Sequence, residues 1–334
     1  MSTSAGRSCP LHYRYEPEVF AAPATLRAET LYVVGGVYGN VQSLRRVFAM
    51  KSEEERTSGG QVDLLFNGDF NWFDCDADGF REVNEAVLEH PAIRGNVEAE
   101  LHPASDDNGC GCNYPDFVDA AVVDRSNAIM RRLKATASAF PDILERIAAL
   151  PMHLCVDIGT QKIGIVHGDA ESLAGWGFAF EALPALPGEA QADPRYRCGP
   201  NAIARIFDRA GVAAFASKHT GLPVLQDFEF AGGRRLIINN GAAGLPNFKG
   251  STFGLLTRIS SRPELPRTSL YGTAIDGVRF DALPIHYDAA AWQRCFAANW
   301  VQGSPAYAGY FERITEGPDF SIARANRLAP ATAA

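Results

Sequence analysis

Asp69, Asn96, His167 and His219 each stand where an apolar run gives way to a glycine-bearing loop, in VDLLFNGD (62–69), AIRGN (92–96), KIGIVHGD (162–169) and VAAFASKHTG (212–221). A carboxylate, an amide oxygen and two imidazoles make a donor set for one divalent or transition metal ion (Mn, Fe, Zn or Ni), whereas calcium prefers an all-oxygen shell. In an α/β fold the loops leaving the carboxyl ends of neighbouring strands converge, so residues far apart in sequence can share a ligand set. Taken singly, each has a plainer reading: Asn and Asp cap helices and order turns, and a His after a strand is more often structural. The joint reading rests on complementary side chains recurring at the same kind of junction.

The segments Asn67-Gly68-Asp69, Arg94-Gly95-Asn96-Val97-Glu98, Val166-His167-Gly168-Asp169 and Lys218-His219-Thr220-Gly221 follow in that order. The set resembles the calcineurin-like metallophosphoesterases, whose motifs run Asp-x-His, Gly-Asp, Gly-Asn, a strand-end His and Gly-His-Thr-His. Ile238-Asn239-Asn240-Gly241-Ala242-Ala243-Gly244-Leu245-Pro246 is similar to the segment that closes the fold in smaller bacterial members. The resemblance covers about residues 30–285. It implies a two-sheet sandwich with flanking helices and metal-dependent chemistry on phosphate esters.

The departures from that pattern are coherent. Gly36 and Tyr38 stand at the Asp and His of the first motif, and Gly221 at the last His. In the family those three residues, with the bridging Asp, hold the first of two metals; Asp69, Asn96, His167 and His219 match the ligands of the second. The resemblance therefore implies one metal site without its private ligands and one intact.

The elements that must position these residues are legible in outline. Strands are expected at 31–34, 62–66, in a short run before Gly95, and in a hairpin at 152–158 and 162–167 around Gly159-Thr160-Gln161. Further strands are expected at 212–216, in a hairpin at 224–230 and 234–239, and at 252–260, 268–275 and from 277. Helical periodicity covers 41–51, about 80–89, 124–149 and 289–299, and Asn201 is read as the cap of a helix starting at Ala202. So many strands favour two packed sheets with outer helices, an α/β sandwich, over an open dinucleotide-binding sheet, and no Gly-x-Gly-x-x-Gly follows the first strand. One domain over 25–300 is expected, with an insertion at 101–123 and a C-terminal extension at 301–334.

With 334 residues, 46% of them hydrophobic and 21% charged, the chain can bury a substantial core. The net charge of -8 and the lack of a basic tract argue against nucleic-acid binding. The opening MSTSAGRSCP leads into no apolar targeting segment, and no run reaches the roughly eighteen apolar residues of a membrane span. Cys9, Cys75, Cys110, Cys112, Cys155, Cys198 and Cys295 form an odd set without a repeating framework, which fits reduced thiols and a cytoplasmic location.

The insertion 101–123 carries Asp106, Asp107, Cys110 and Cys112 and reads as a lid over the metal or as a surface loop, with Cys110 or Cys112 as a possible addition to the site. Arg195 or Arg197 could reach a phosphate, and the final NRLAPATAA reads as a poorly ordered tail. If the protein is an enzyme, its partner is a small phosphomonoester or phosphodiester. Tyr38 would then orient phosphate in the space of the lost metal, with Asp74 and Asp169 as acid/base candidates. The family often has a proton-donating His after Gly-Asn, and here that residue is Val97. The alternative is a catalytically inactive metal-binding or phosphate-sensing protein on the same fold. A third possibility is an iron enzyme of nonhydrolytic chemistry, since two His and one carboxylate form a minimal iron set.

Overall fold

Along Thr30–Val34 every residue is buried, because the two faces of the strand meet different layers. Leu31 and Val33 enter a core between two sheets, while Tyr32 and Val34 pack with Leu44 and Val47 of the helix that follows. Burial on both faces explains why such runs read as continuously apolar and do not alternate. The computed structural model describes residues 5–102, 108–186, 198–264, 266 and 268–328.

In chain order the strands are β1 (Leu26–Ala28), β2 (Thr30–Val34), β3 (Asp63–Phe66), β4 (His153–Ile158), β5 (Gln161–Val166), β6 (Ala214–Ser217), β7 (Val224–Phe230), β8 (Gly233–Asn239), β9 (Gly254–Ser260), β10 (Tyr271–Ile275), β11 (Val278–Ile285) and β12 (Asn326–Arg327). The helices are α1 (Val41–Ser58), α2 (Ala77–Val87), α3 (Asn96–Leu101), α4 (Ala120–Ala137), α5 (Pro141–Ala148), α6 (Pro200–Ala210), α7 (Ala289–Asn299), α8 (Pro305–Glu316) and α9 (Ile322–Ala325). One sheet has seven strands, ordered β1-β4-β5-β6-β8-β7-β12, and the other five, ordered β10-β11-β9-β2-β3. Ile163, Ile165, Ala214, Ala216, Leu236 and Ile238 of the first face Leu31, Val33, Leu65, Leu255 and Ile259 of the second across one core.

Two parallel blocks matter for function. β2 and β3 run parallel in one sheet, and β5, β6 and β8 run parallel in the other. Their carboxyl ends all open on the same edge of the sandwich, so the loops after them meet there. Outer helices close the remaining faces: α1 and α2 through Leu44, Val47, Val83 and Val87, and α6 through Ile203, Ile206 and Phe207.

The helix ends follow local chemistry, and some differ from the sequence reading. α1 starts at Asn40, whose side chain accepts from the Ser43 N–H at 3.0 Å, and stops at Gly59 with φ +71. The helical stretch 124–149 is two helices, because Pro141 opens α5 and holds the preceding Phe140 in a non-helical conformation. Asn201 does not cap α6; Gly199 does, and Pro200 takes the first helical position. The short run before Gly95 makes only a single bridge, Ala92 with Phe66.

The last described residues are built in as well. Asn326–Arg327 pairs in parallel with β7, so the sequence NRLAPATAA begins with an ordered strand. Asp106, Asp107, Arg195 and Arg197 lie outside the described residues. Among the described residues, no helix is long and apolar enough to cross a membrane.

Candidate metal centre

Glu98 of α3 draws the site together. Its carboxylate accepts from the backbone N–H of Asp69 at 2.7 Å, Gly95 at 2.9 Å and Phe70 at 3.0 Å, tying the loop after β3 to the start of α3. Burial and the Asp69 charge push Glu98 up to about 7, while these N–H groups favour its ionised form. Gly68 allows the closeness: a Cβ there would lie 2.5 Å from the Gly95 nitrogen and 2.6 Å from His167 Nδ1. Asp69 and Tyr38 both adopt left-handed backbone, with φ +55 and +56, and the Tyr38 N–H donates to the Asp69 carbonyl at 3.2 Å.

At the centre, His167 Nε2 lies 3.1 Å from Asn96 Oδ1, 3.2 Å from His219 Nδ1 and 3.4 Å from Asp69 Oδ1. The far side of each group is already committed. His167 Nδ1 is 2.8 Å from the Asn67 carbonyl, His219 Nε2 is 3.0 Å from the Cys112 carbonyl, and Asn96 Nδ2 donates to the Cys110 carbonyl at 2.8 Å. A carbonyl only accepts, so those imidazole nitrogens carry the protons and the facing ones do not. Burial pushes His167 down to about 4 and His219 down to about 3, so at neutral pH no added proton bridges them. Burial alone would raise the Asp69 carboxyl, but His167, Lys218 and His219 outweigh it and hold it down at about 2.

The result is a buried knot of facing lone pairs in which Asn96 Oδ1, His167 Nε2 and His219 Nδ1 find no donor in one another, and Asp69 Oδ1 takes only a long contact from the Val97 N–H at 3.4 Å. Such an arrangement is repulsive unless a cation sits within it, and the backbone carbonyls behind the ligands fix their orientation as outer partners do in metal sites. Asp69, His167 and His219 offer ligand atoms that all lie within 4.8 Å of one another. The donor set fits one divalent ion.

The comparisons with known proteins bear on the scaffold. No protein-family model matches the sequence, and neither does any curated protein. Among solved structures, a metallophosphoesterase from Sphaerobacter thermophilus aligns over 87% of this chain and 100% of its own at 17% identity, with a TM-score of 0.51. A hypothetical protein from Pyrococcus horikoshii aligns over 87% and 99% at 14% identity, with a TM-score of 0.56. The fold is that of the calcineurin-like metallophosphoesterases. On this metallophosphoesterase fold the ligand cluster sits at the convergent edge of the two sheets.

Around the ligands is a cavity of about 90 Å³ walled by Tyr38, Trp72, Tyr114, Trp176, Tyr310 and Arg313. Arg313 arrives from α8, donating to the carbonyls of Gly221 at 2.6 Å and Pro246 at 3.3 Å. Larger hollows exist, such as one of about 710 Å³ beside Leu26, Glu55 and His90, but among the described residues they hold no comparable convergence of ligand atoms.

The metallophosphoesterase scaffold brings Tyr38, Asp69, Asn96, His167 and His219 together, and leaves Asp74 and Asp169 apart from them. Asp74 borders a separate hollow of about 220 Å³ with Gly39, Asp76 and Trp292. Asp169 spends its oxygens on its own loop, accepting from the N–H groups of Glu171, Ser172 and Gly177 at 2.9 Å each. Cys110 and Cys112 form a disulfide, whereas Cys9, Cys75, Cys155, Cys198 and Cys295 are free. That corrects the expectation of reduced thiols throughout; Gly109 and Gly111, both with positive φ, fold the turn that juxtaposes the pair. What this segment gives the site is two backbone carbonyls and, more distantly, Cys112 Sγ, which accepts from Asn96 Nδ2 at 3.4 Å.

Three site residues escaped the sequence reading as actors. Glu98 and Lys218 lie inside the quoted motifs, yet nothing in one sequence marks a buried carboxylate as a loop staple or a lysine as inward-facing. Lys218 is fully buried, with Nζ 2.5 Å from Asp69 Oδ2 and bonded to the Tyr38 hydroxyl. Burial lowers its pKa, and Asp69 opposes that. Arg313 had no local signal, because its role depends on where α8 docks.

Proposed function

We propose that this chain is a phosphoesterase working with one divalent metal ion, held by Asp69, Asn96, His167 and His219. The observation that carries the reading is the converging set of unprotonated acceptors beside a small cavity containing Arg313. A bound ion supplies Lewis acidity to a phosphoryl oxygen and acidifies water. Arg313 binds a phosphate oxygen through its guanidinium, a group suited to bidentate pairing with phosphate. Tyr38 fixes one edge of the phosphate site, and the aromatic walls of Trp72, Tyr114, Trp176 and Tyr310 exclude water and pack the organic part of the ester.

A cavity of about 90 Å³ favours a small phosphate headgroup, with the rest of the substrate projecting outward. Residues 25–300 form the catalytic unit in this reading, and α8 from the 301–334 segment completes its cavity. The substrate class is a small phosphomonoester or phosphodiester. The metal is Mn, Fe, Zn or Ni.

A second reading has one specific support. Val97 follows Asn96 and fills the cavity wall with an apolar side chain, so no imidazole there can protonate a leaving group. A protein that binds a metal and a phosphorylated ligand without cleaving it is the corresponding alternative. A screen of phosphomonoesters and phosphodiesters, using protein shown by elemental analysis to hold metal, separates the two. Turnover that disappears with the metal supports the enzyme. Absence of turnover under several metals and pH values, with tight binding of a phosphorylated ligand, supports the alternative.

A further inference from the structure

Gly36 and Lys218 compete for one volume. A Cβ on Gly36 would lie 2.5 Å from Lys218 Cε and 3.2 Å from Nζ, and one on Gly35 would lie 2.7 Å from Lys218 Cγ. Those contacts, together with the left-handed backbone of Gly36 at φ +63, disfavour a side chain at 36 while Lys218 keeps its pose. The lysine stem thus fills the space that a ligand from the loop after β2 would need.

The head of Lys218 then lands on the metal centre's own carboxylate. Asp69 divides its oxygens, Oδ1 lying 3.4 Å from His167 Nε2 and Oδ2 lying 2.5 Å from Lys218 Nζ. Nζ also bonds the Tyr38 hydroxyl and sits 4.1 Å from the centroid of that ring, where an ammonium is attracted by the π face. In two-metal sites, paired ions clamp the attacking and leaving oxygens. Here one carboxylate joins the metal position to an ammonium.

We propose that Lys218 occupies, as a covalently held cation, the place a second metal ion would take beside Asp69, so that the centre is one metal ion plus one ammonium. This rests on the one-metal reading above and adds why the stoichiometry stops at one. Three features support it independently: the glycine at 36, the pairing with Asp69 Oδ2, and complete burial of the ammonium between Asp69 and Tyr38. Lys218 touches Asp69 and Tyr38, so it is a positioning residue.

The test is manganese binding, read by elemental analysis and by electron paramagnetic resonance, which separates isolated ions from a spin-coupled pair. The wild-type chain is expected to take one uncoupled ion. A Gly36→Asp/Tyr38→His/Lys218→Gly variant, which removes the lysine and supplies a carboxylate and an imidazole, is expected to take two coupled ions. Gly36→Asp/Tyr38→His with Lys218 retained is expected to stay at one or lose it. The proposal is overturned if the lysine-retaining variant takes up the coupled pair, or if a folded triple variant holding its first ion takes no second. The wild-type measurement stands even if the variants fail to fold: a coupled pair there overturns the lysine assignment and the one-ion stoichiometry, and leaves standing a metal centre of two ions. A wild-type chain that binds no ion overturns the metal-centre reading and this inference with it.

Discussion

Arg313 stands beside the place where a side chain on Gly221 would begin: its Nη1 lies 3.5 Å from the position of a Cβ on that glycine, and Nη2 donates to the glycine's carbonyl at 2.6 Å. A cation from a helix 92 positions downstream therefore borders the space that a side chain at 221 would take. Hydrogen bonds to charged groups contribute about 1.5–3 kcal/mol. Arg313→Met is accordingly expected to weaken inhibition by inorganic phosphate by about 10- to 100-fold, with metal content unchanged. Calorimetric titration with phosphate checks the first part, and elemental analysis the second.

Removing a ligand should empty the centre. His167→Ala and His219→Ala are each expected to lose bound metal and metal-dependent activity together, since either change takes one of four donors from the ion. Tyr38→Phe should behave differently, lowering turnover by about tenfold, the cost of one hydrogen bond, while keeping the ion. Equal kinetics for Tyr38→Phe and wild type would remove the hydroxyl from the mechanism.

The carbonyls of Cys110 and Cys112 meet Asn96 and His219 at 2.8 and 3.0 Å, while sulfur makes only the longer contact of Cys112 Sγ with Asn96 Nδ2 at 3.4 Å. A Cys110→Ala/Cys112→Ala variant should therefore bind metal with a loss below the roughly 10- to 100-fold seen when an outer partner is removed. Metal titration of the double variant, and of wild type with and without reductant, measures this. Loss of the ion on reduction would mean that the disulfide itself shapes the site.

Asp74 gives a pH signature. Burial, followed by the charges of Asp76, Glu98 and Glu82, raises its pKa well above 3.8, and one of its oxygens has no hydrogen-bond partner. For an acid whose folded pKa is raised, the favourable contribution is complete below the unfolded value and is lost as pH rises through the folded one. Asp74→Asn is expected to leave the acid limb nearly unchanged and to raise stability above it, by about 1–3 kcal/mol, the scale of a desolvated polar group. Urea unfolding at several pH values checks it; a gap that shrinks as pH rises would contradict the assignment.

How much of this was legible in the sequence depends on whether a residue's role is local. Asp69, Asn96, His167 and His219 stand at strand ends, and strand ends converge by topology, so their types and spacing pointed to the same place the fold brings them. Strand positions such as 31–34 and 224–230 were readable because apolar runs and glycine turns are themselves local signals. Arg313 was not readable, since α8 is brought to the site by packing against α4 and α7. The break at Pro141 and the Pro200 start of α6 show the same limit at smaller scale: periodicity ran on where backbone sterics did not. The Cys110–Cys112 bond depends on the turn geometry of Gly109 and Gly111, which an odd cysteine count cannot reveal.

The left-handed backbone at Tyr38 and Asp69 is kept by what their side chains hold. A non-glycine residue held in that region costs on the order of 1–3 kcal/mol, and here two such residues sit on loops hydrogen-bonded to each other. Glycine at either position would relieve the strain and also delete a hydroxyl or a carboxylate from the centre. Selection for heat resistance is nonetheless expected to retain both residues, because losing a buried ring or the partner of the buried Lys218 ammonium costs about 3–5 kcal/mol, more than the strain relieved.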